Sequence, residues 1–329
     1  MKDIMKVYIS RNVPQEGLNY LTEHGLTYTV NMENKKLTQE EVIIECQSAD
    51  LLLNVGGVPL DQHFFDNCAH LKGIALASVG YDHVDMDAAS KAGIPVSNTP
   101  DVLSGATADV AFLLMLAVSR KAFYRANEIR EGKWNDFEFT KDLGIELNGK
   151  TLGIYGLGRI GLELARKAQA AYGMKVIYHN RHPNETAKRV LNAEYVNFDE
   201  LLTRSDVLSV HANLSPETQY RFNKETFARM KNSAILINTG RGKIVHEQDL
   251  YTALVNGDIW GAGLDVTDPE PMKADSPLLT LPSVCVLPHI GSATIETRTN
   301  MIKMAANNLI AASKSNHMPQ IVNVEVYKA

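Results

Sequence analysis

The stretch from Thr151 to Gly161, Thr-Leu-Gly-Ile-Tyr-Gly-Leu-Gly-Arg-Ile-Gly, restricts the possible folds more than any other part of the chain. An apolar strand runs straight into the pattern G-x-G-x-x-G at Gly156, Gly158 and Gly161. Gly156 would permit a tight turn, Gly158 would let backbone approach a pyrophosphate, and Gly161 would let the next helix pack closely on the strand. The phosphates would then meet a helix N-terminus, whose unpaired N–H groups and dipole favour an anion. Glycines also punctuate ordinary turns, so the flanks decide. Leu162, Leu164, Ala165, Ala168 and Ala171 keep an apolar helical face, and Gly173 to Tyr178 reads as the second strand of a βαβ unit. A dinucleotide is therefore expected at Gly156, Leu157, Gly158, Arg159, Ile160 and Gly161.

Around this unit the whole chain alternates between strand and helix patterns. Before it come Val7 to Ile9, a helix after Pro14, Leu26 to Val30, a helix opened by the capping box Thr38-x-x-Glu41, and Leu51 to Asn54. Helical Leu60 to Cys68, Gly73 to Ala77, helical Val84 to Ala92 and Ile94 to Val96 follow. Ser104 opens a long helical pattern to about Arg130 with a continuous apolar middle, read as an interdomain or intersubunit helix. Trp134, in the polar passage after it, reads as a packing residue, since an indole buries a large area. Beyond Tyr178 come a second capping box, Asn197-x-x-Glu200, and strands Val207 to His211, Ala234 to Asn238, Ile259 to Val266 and Val284 to Leu287. Helices Glu247 to Val255 and Thr294 to about Lys314 complete the pattern. Such alternation is the signature of parallel α/β sheets.

Because the glycine motif begins mid-chain in 329 residues, two lobes are expected. A nucleotide-binding Rossmann-type domain, 104–291, would be inserted in a discontinuous, flavodoxin-like substrate domain made of 1–103 and 292–329. The last helix would return to the first lobe, leaving a cleft.

Composition removes several functions. A net charge of −5 supplies no electrostatic reason to expect nucleic acid or an anionic membrane as partner. The charged residues of the first ten positions do not suit a signal peptide, and the apolar run Val110 to Val118 is shorter than the ~20 residues a membrane span needs, so a cytoplasmic protein is expected. Cys46, Cys68 and Cys285 are scattered, which disfavours a disulfide framework or a metal site.

In open parallel sheets ligands bind beyond the carboxyl ends of strands. Three polar residues stand there: Arg241 in Asn-Thr-Gly-Arg-Gly, Glu270 in Asp-Val-Thr-Asp-Pro-Glu-Pro, and His289 in Pro-His-Ile-Gly. Singly, each has an ordinary explanation as a turn or loop residue. Jointly, an arginine, a carboxylate and an imidazole would hold a carboxylate substrate and exchange a proton with it. Beside a nicotinamide, that chemistry is hydride transfer to or from a 2-oxo acid.

With these residues in place, the sequence resembles the D-isomer-specific 2-hydroxyacid dehydrogenases, particularly the glyoxylate/hydroxypyruvate reductase branch. The motifs that carry the resemblance are Val79 to Asp85, Gly156 to Gly161, Asn238 to Gly242, Gly263 to Val266 with Glu270-Pro271, and Pro288 to Gly291, in the family's order. The resemblance implies that Arg241 binds the substrate carboxylate and carbonyl, that His289 is the acid/base and that Glu270 pairs with it. It further implies substrate contacts at Val79, Gly80 and Gly291, and cofactor contacts at Asn213, Thr239 and Asp265. It also implies a homodimer whose main contact is the helix from Ser104. Gly240 departs from the more usual alanine or serine, a small change. Glu270 argues against the formate dehydrogenase branch, which lacks that carboxylate.

Cofactor choice is read from the end of the second strand. About 20 positions past the glycine motif, an acidic residue normally accepts from the ribose 2′-OH. Here Asn180, Arg181 and His182 stand instead, so NADP(H) is expected to be preferred, with NAD(H) possible. Two other functions fit the same fold: reduction of a bulkier 2-oxo acid such as 2-ketogluconate or an aryl pyruvate, and a non-catalytic, corepressor-like dinucleotide sensor.

Overall fold

The structure is a computed structural model that describes residues 4–33 and 35–328. Met1 to Asp3, Asn34 and Ala329, which the expected substrate domain includes, lie outside the described residues. The chain divides into two compact units, one formed by the residues up to Leu103 and those from Ala293 on, the other by Ser104–Ser292.

The first unit runs β1 (Lys6–Ile9), α1 (Gln15–Glu23), β2 (Thr27–Val30), α2 (Gln39–Cys46), β3 (Leu51–Asn54), α3 (Gln62–Asn67), β4 (Ile74–Leu76), α4 (Met86–Lys91) and β5 (Val96–Ser97). Its five strands are parallel in the order β2-β1-β3-β4-β5, the flavodoxin-like order. The inner strands alternate between two cores. Val7 and Ile9 face α1 and the C-terminal helix, whereas Tyr8 between them faces the α2, α3 and α4 side. A sheet covered on both faces needs apolar residues at consecutive positions, which is why Leu51, Leu52 and Leu53 form an unbroken run.

The second unit starts with α5 (Ser104–Ser119) and α6 (Ala122–Arg130), then β6 (Thr151–Tyr155), α7 (Arg159–Tyr172), β7 (Lys175–His179), α8 (Glu185–Leu191), β8 (Glu194–Tyr195) and α9 (Phe198–Arg204). It continues with β9 (Val207–Val210), α10 (Lys224–Phe227), β10 (Ile235–Asn238), α11 (Glu247–Asn256), β11 (Gly261–Leu264) and β12 (Val284–Val286). The last helix, α12 (Ile295–Ser313), is part of the first unit, where it packs on α1, β3 and β4. The seven strands are parallel in the order β12-β11-β10-β9-β6-β7-β8, so the winding reverses between β6 and β9. In β10 the same alternation recurs, with Ile235 and Ile237 in one core and Leu236 in the other. Burying side chains of this size contributes roughly 1.5–3 kcal/mol each.

Both expected capping boxes form, at Thr38 with Glu41 and at Asn197 with Glu200. The long helix expected from Ser104 to Arg130 does not. It breaks at Arg120 and Lys121, where Lys121 takes a left-handed φ of 54°, and the two halves are separate helices. Most of α5 is buried within its own unit, against α7 and the strands β10 and β11. The second strand begins at Lys175 rather than Gly173, because Gly173 is the left-handed cap that ends α7, with φ 57°. Trp134 is not a packing residue within this chain: it is 65% exposed, near Phe137 at 79% and Phe139 at 82%.

Candidate active site

The glycine turn sits at the winding reversal, between the carboxyl ends of β6 and β9. Gly156 has φ 89°, and a Cβ there would strike the backbone of Ala212 at 2.6 Å, so only glycine fits beside the end of β9. Gly161 lies against β6: a Cβ would stand 3.0 Å from the Ile154 side chain. At Gly158 nothing lies within 4 Å of the equivalent position, so backbone there faces open space. Gly158 is also the N-cap of α7 and brings no side chain to cap it. A turn with open space over its middle glycine and an uncapped helix N-terminus behind it fits a pyrophosphate.

Leu157, between the first two glycines, is buried and held by its backbone. Asn180 accepts its N–H at 2.6 Å and donates to its carbonyl at 3.1 Å. Asn184 donates to the same carbonyl at 3.1 Å. Thus both polar ends of the Asn180 amide are engaged with the glycine turn, while Arg181 and His182 are exposed beside it. Tyr195 further ties the segment by donating to the Asn180 carbonyl at 3.1 Å.

Strand order decides what surrounds the turn. Because β9 pairs with β6, His211 comes beneath Gly161 and joins Ser209 at 2.8 Å to Thr239 at 3.1 Å. Desolvation pushes this imidazole down to about 4, so it is neutral at physiological pH. Asn213 follows in an exposed turn whose carbonyl accepts the Thr218 hydroxyl at 2.7 Å.

Arg241, Glu270 and His289 follow β10, β11 and β12, three neighbouring strands of one parallel sheet. His289 Nδ1 and Glu270 Oε1 are 2.6 Å apart, with side chains 49% and 43% exposed. The hydrogen bond to Glu270 is the main cause that raises the imidazole above its ordinary value; burial opposes it, the Glu270 and Asp265 charges add to the rise, and the nearby Arg241 acts downward. For Glu270 burial acts upward, yet His289, the Thr267 amide and Arg241 together hold its carboxyl below the usual range. The pair therefore favours imidazolium beside carboxylate. The Arg241 guanidinium donates to the Gly240 carbonyl at 2.9 Å, and Asn238 holds the Arg241 carbonyl at 2.9 Å.

Asp265, only 2% exposed, fixes the turn that carries the histidine. Its two oxygens accept the Ile290 and Gly291 amides, each at 2.8 Å. His289 itself takes φ 53°, a left-handed conformation held by these two bonds. Burial raises the Asp265 carboxyl although the two amides oppose it. Thr107 of α5 closes the arrangement by donating to the Gly291 carbonyl at 3.1 Å.

Val79 and Gly80 belong to the first unit, in the segment after β4. There Asn98 donates to the Val79 carbonyl at 2.8 Å and Ser78 to the Gly80 carbonyl at 2.7 Å. Several supporting residues escaped sequence reasoning: Asn184, His211 and Thr107. His211 reads from the sequence as the last residue of the strand Val207 to His211; because the strand ends at Val210, a boundary one residue shorter would have brought it under the rule that found Arg241.

Comparison with known proteins gives concordant results. Residues 112–291 match the family model described as D-isomer specific 2-hydroxyacid dehydrogenase, NAD binding domain. A glyoxylate reductase from Korarchaeum cryptofilum is 40% identical over 326 residues, 98% of this chain and 97% of that protein. A solved protein from Thermus thermophilus is 40% identical with a TM-score of 0.90, covering 97% of this chain and 100% of that one. An NADPH-dependent glyoxylate/hydroxypyruvate reductase from Sinorhizobium meliloti, solved with NADP and malonate, is 32% identical with a TM-score of 0.84 over 97% and 96% of the two chains.

Proposed function

This chain belongs to the D-isomer specific 2-hydroxyacid dehydrogenase family, and we propose that it is a reductase of small 2-oxo acids, glyoxylate and hydroxypyruvate, to D-2-hydroxy acids. The observation that carries the reading is the 2.6 Å His289–Glu270 pair on strand ends that neighbour the one bearing Arg241. A nicotinamide dinucleotide, when bound, supplies the hydride.

The remaining work falls to side chains. Arg241 holds the planar substrate carboxylate by forked hydrogen bonds and polarises the adjoining carbonyl. His289 has Nδ1 committed to Glu270, so Nε2 is the atom that hands a proton to the carbonyl oxygen. Glu270 keeps that imidazole protonated beforehand and stabilises it in orientation. Asp265 holds the histidine turn with one lone pair of each oxygen and keeps others for a carboxamide donor. Amides of Val79, Gly80 and Gly291 complete the proposed substrate contacts.

Gly156 to Gly161, Thr239 and Asn213 are the proposed cofactor contacts, with Asn180 acting through Leu157. The exposed Arg181, with His182 beside it, supports a preference for NADP(H) over NAD(H). A cytoplasmic homodimer completes the proposal. The exposed apolar side chains Ile129, Trp134, Phe137, Phe139 and Leu143, gathered in one short stretch of chain, support the dimer, since large apolar side chains left in water mark association sites. Among the described residues, no helix is long and apolar enough to cross a membrane.

The test is one steady-state panel: glyoxylate, hydroxypyruvate, 2-ketogluconate and an aryl pyruvate, each with NADPH and NADH. Highest kcat/KM on the two small acids is expected. Preference for a bulky acid would replace the substrate assignment, and no turnover of any 2-oxo acid would refute the reductase.

A further inference from the structure

The loop between β11 and the segment leading to β12 carries Glu270, and its hold on the rest of the unit lies two residues earlier. The Asp268 N–H donates to Glu247 Oε1 at 2.7 Å. Glu247 is the first residue of α11, where the helix dipole favours a carboxylate. On its other side Asp268 accepts the Tyr220 hydroxyl at 2.8 Å. Tyr220 in turn donates its own N–H to the Lys243 carbonyl at 2.7 Å, two residues past Arg241. Thr267 closes the loop on itself by donating to the Pro269 carbonyl at 2.8 Å.

Gly242 brings the two catalytic segments together directly. A Cβ at this position would overlap the Thr267 carbonyl and crowd the Asp268 nitrogen at 2.9 Å, so the backbone after Arg241 lies flat on the backbone before Glu270. The loop thus has three anchors: Gly242, Tyr220 and Glu247. Only the last is a partly buried carboxylate aimed at a loop amide, and it receives nothing from a substrate or cofactor in the mechanism above.

We infer that Glu247 is a positioning residue for the reaction: by holding the Asp268 amide it keeps the Glu270 carboxylate seated against His289. The inference rests on the proposed roles of Glu270 and His289. Burial raises the Glu247 carboxyl above its ordinary value; the Asp268 amide opposes this, and the Asp268 charge adds to the rise. The charged groups facing His289 are Glu270, Asp265 and Arg241, and all three side chains are retained in the Glu247 variants, so a moved His289 midpoint reports a moved Glu270.

The experiment compares full-length wild type, Glu247→Ala and Glu247→Gln by steady-state kinetics and by an NMR titration of the His289 imidazole without substrate. In Glu247→Ala, kcat is expected to fall about ten- to a hundredfold, the effect of a small misplacement of a reacting group. KM for the reduced cofactor should stay at its wild-type value. The His289 titration midpoint should move down, because a displaced Glu270 no longer favours imidazolium. Glu247→Gln retains an oxygen acceptor and should restore both readouts. Unchanged kcat and midpoint in Glu247→Ala would overturn the inference, as would a Gln variant impaired as severely as Ala. Should Glu247→Ala fail to fold, Glu247→Asp keeps a carboxylate at the helix start but draws it one methylene back from the Asp268 amide. A downward midpoint shift there supports the inference, and an unmoved one overturns it. If wild type turns over no 2-oxo acid, the reductase proposal fails, while the substrate-free titration still decides the role of Glu247.

Discussion

Replacing Arg181 by alanine should lower kcat/KM for NADPH about 5- to 30-fold and leave that for NADH nearly unchanged. The magnitude follows from where the residue sits. Arg181 is exposed at the end of β7, so its charge acts through water rather than through protein interior. Two unit charges about 4 Å apart in water interact by about 1 kcal/mol, and a phosphate near neutral pH carries close to two. The gross attraction to a 2′-phosphate is then about 2 kcal/mol, and salt reduces it toward 1. Since about 1.4 kcal/mol is a factor of ten, the range follows. Glu217 favours its lower end. That carboxyl is held below its ordinary range first by the Ser215 hydroxyl and in smaller part by Arg181, so the arginine already shares its charge with an acid.

Asn180→Asp tests the neighbouring position differently. A carboxylate keeps the acceptor for the Leu157 N–H but places an oxygen where Nδ2 now donates to the Leu157 carbonyl at 3.1 Å. The turn loses one neutral hydrogen bond, about 0.5–1.5 kcal/mol, and gains a repulsion. NADH use should therefore rise by less than NADPH use falls. Initial rates with each cofactor, followed by the absorbance of the reduced nicotinamide, measure both. Equal or better use of NADH by wild type would refute the preference. An unchanged NADPH/NADH ratio in Arg181→Ala would refute the role given to that residue.

Other consequences follow from the same geometry. Arg241→Lys should lose at least ~100-fold in kcat/KM despite its retained charge, because an ammonium cannot reproduce forked, bidentate bonds to a planar carboxylate; near-wild-type kinetics would exclude that grip. The reductive rate should fall as pH rises through the elevated His289 value, since the proton donor is then lost, and Glu270→Gln should move that fall to lower pH. Coincident pH profiles for the two proteins would remove Glu270 from its role. The raised value of His289 contributes stability that is lost as pH rises from the free-histidine value of about 6.5 through the folded value, and the lowered value of Glu270 contributes stability that is lost as pH falls through the carboxylate range; thermal melts across both ranges would detect this. Replacing Trp134, Phe137 and Phe139 together by serine should yield a monomer in sedimentation. A wild type already monomeric, or a triple variant still dimeric, would exclude this surface from association.

What the sequence by itself determined was whatever depends on a few consecutive residues. The glycine turn was legible because each of its requirements, a positive φ at Gly156, open backbone at Gly158 and close helix packing at Gly161, is met by a residue type at a set spacing. The capping boxes at Thr38 and Asn197 were legible for the same reason. Arg241, Glu270 and His289 could be listed because each stands just beyond an apolar run, and parallel sheets present such positions on one edge. Tertiary structure alone decided which strands are neighbours, and with that the partner of every side chain. Pairing of β9 with β6 brings His211 under Gly161 and the Ala212 backbone against Gly156, across a long gap in sequence. Asn180 reads from the sequence as a missing acid, but the fold turns both ends of its amide onto Leu157. The break at Lys121 and the exposure of Trp134 were hidden too, because an apolar pattern records that a residue can be buried and says nothing of which surface is present to bury it. Glu247 is the clearest instance. As the first residue of a helix it has an ordinary local role, and only the folding of the Thr267–Pro269 loop over α11 places a backbone amide within its reach.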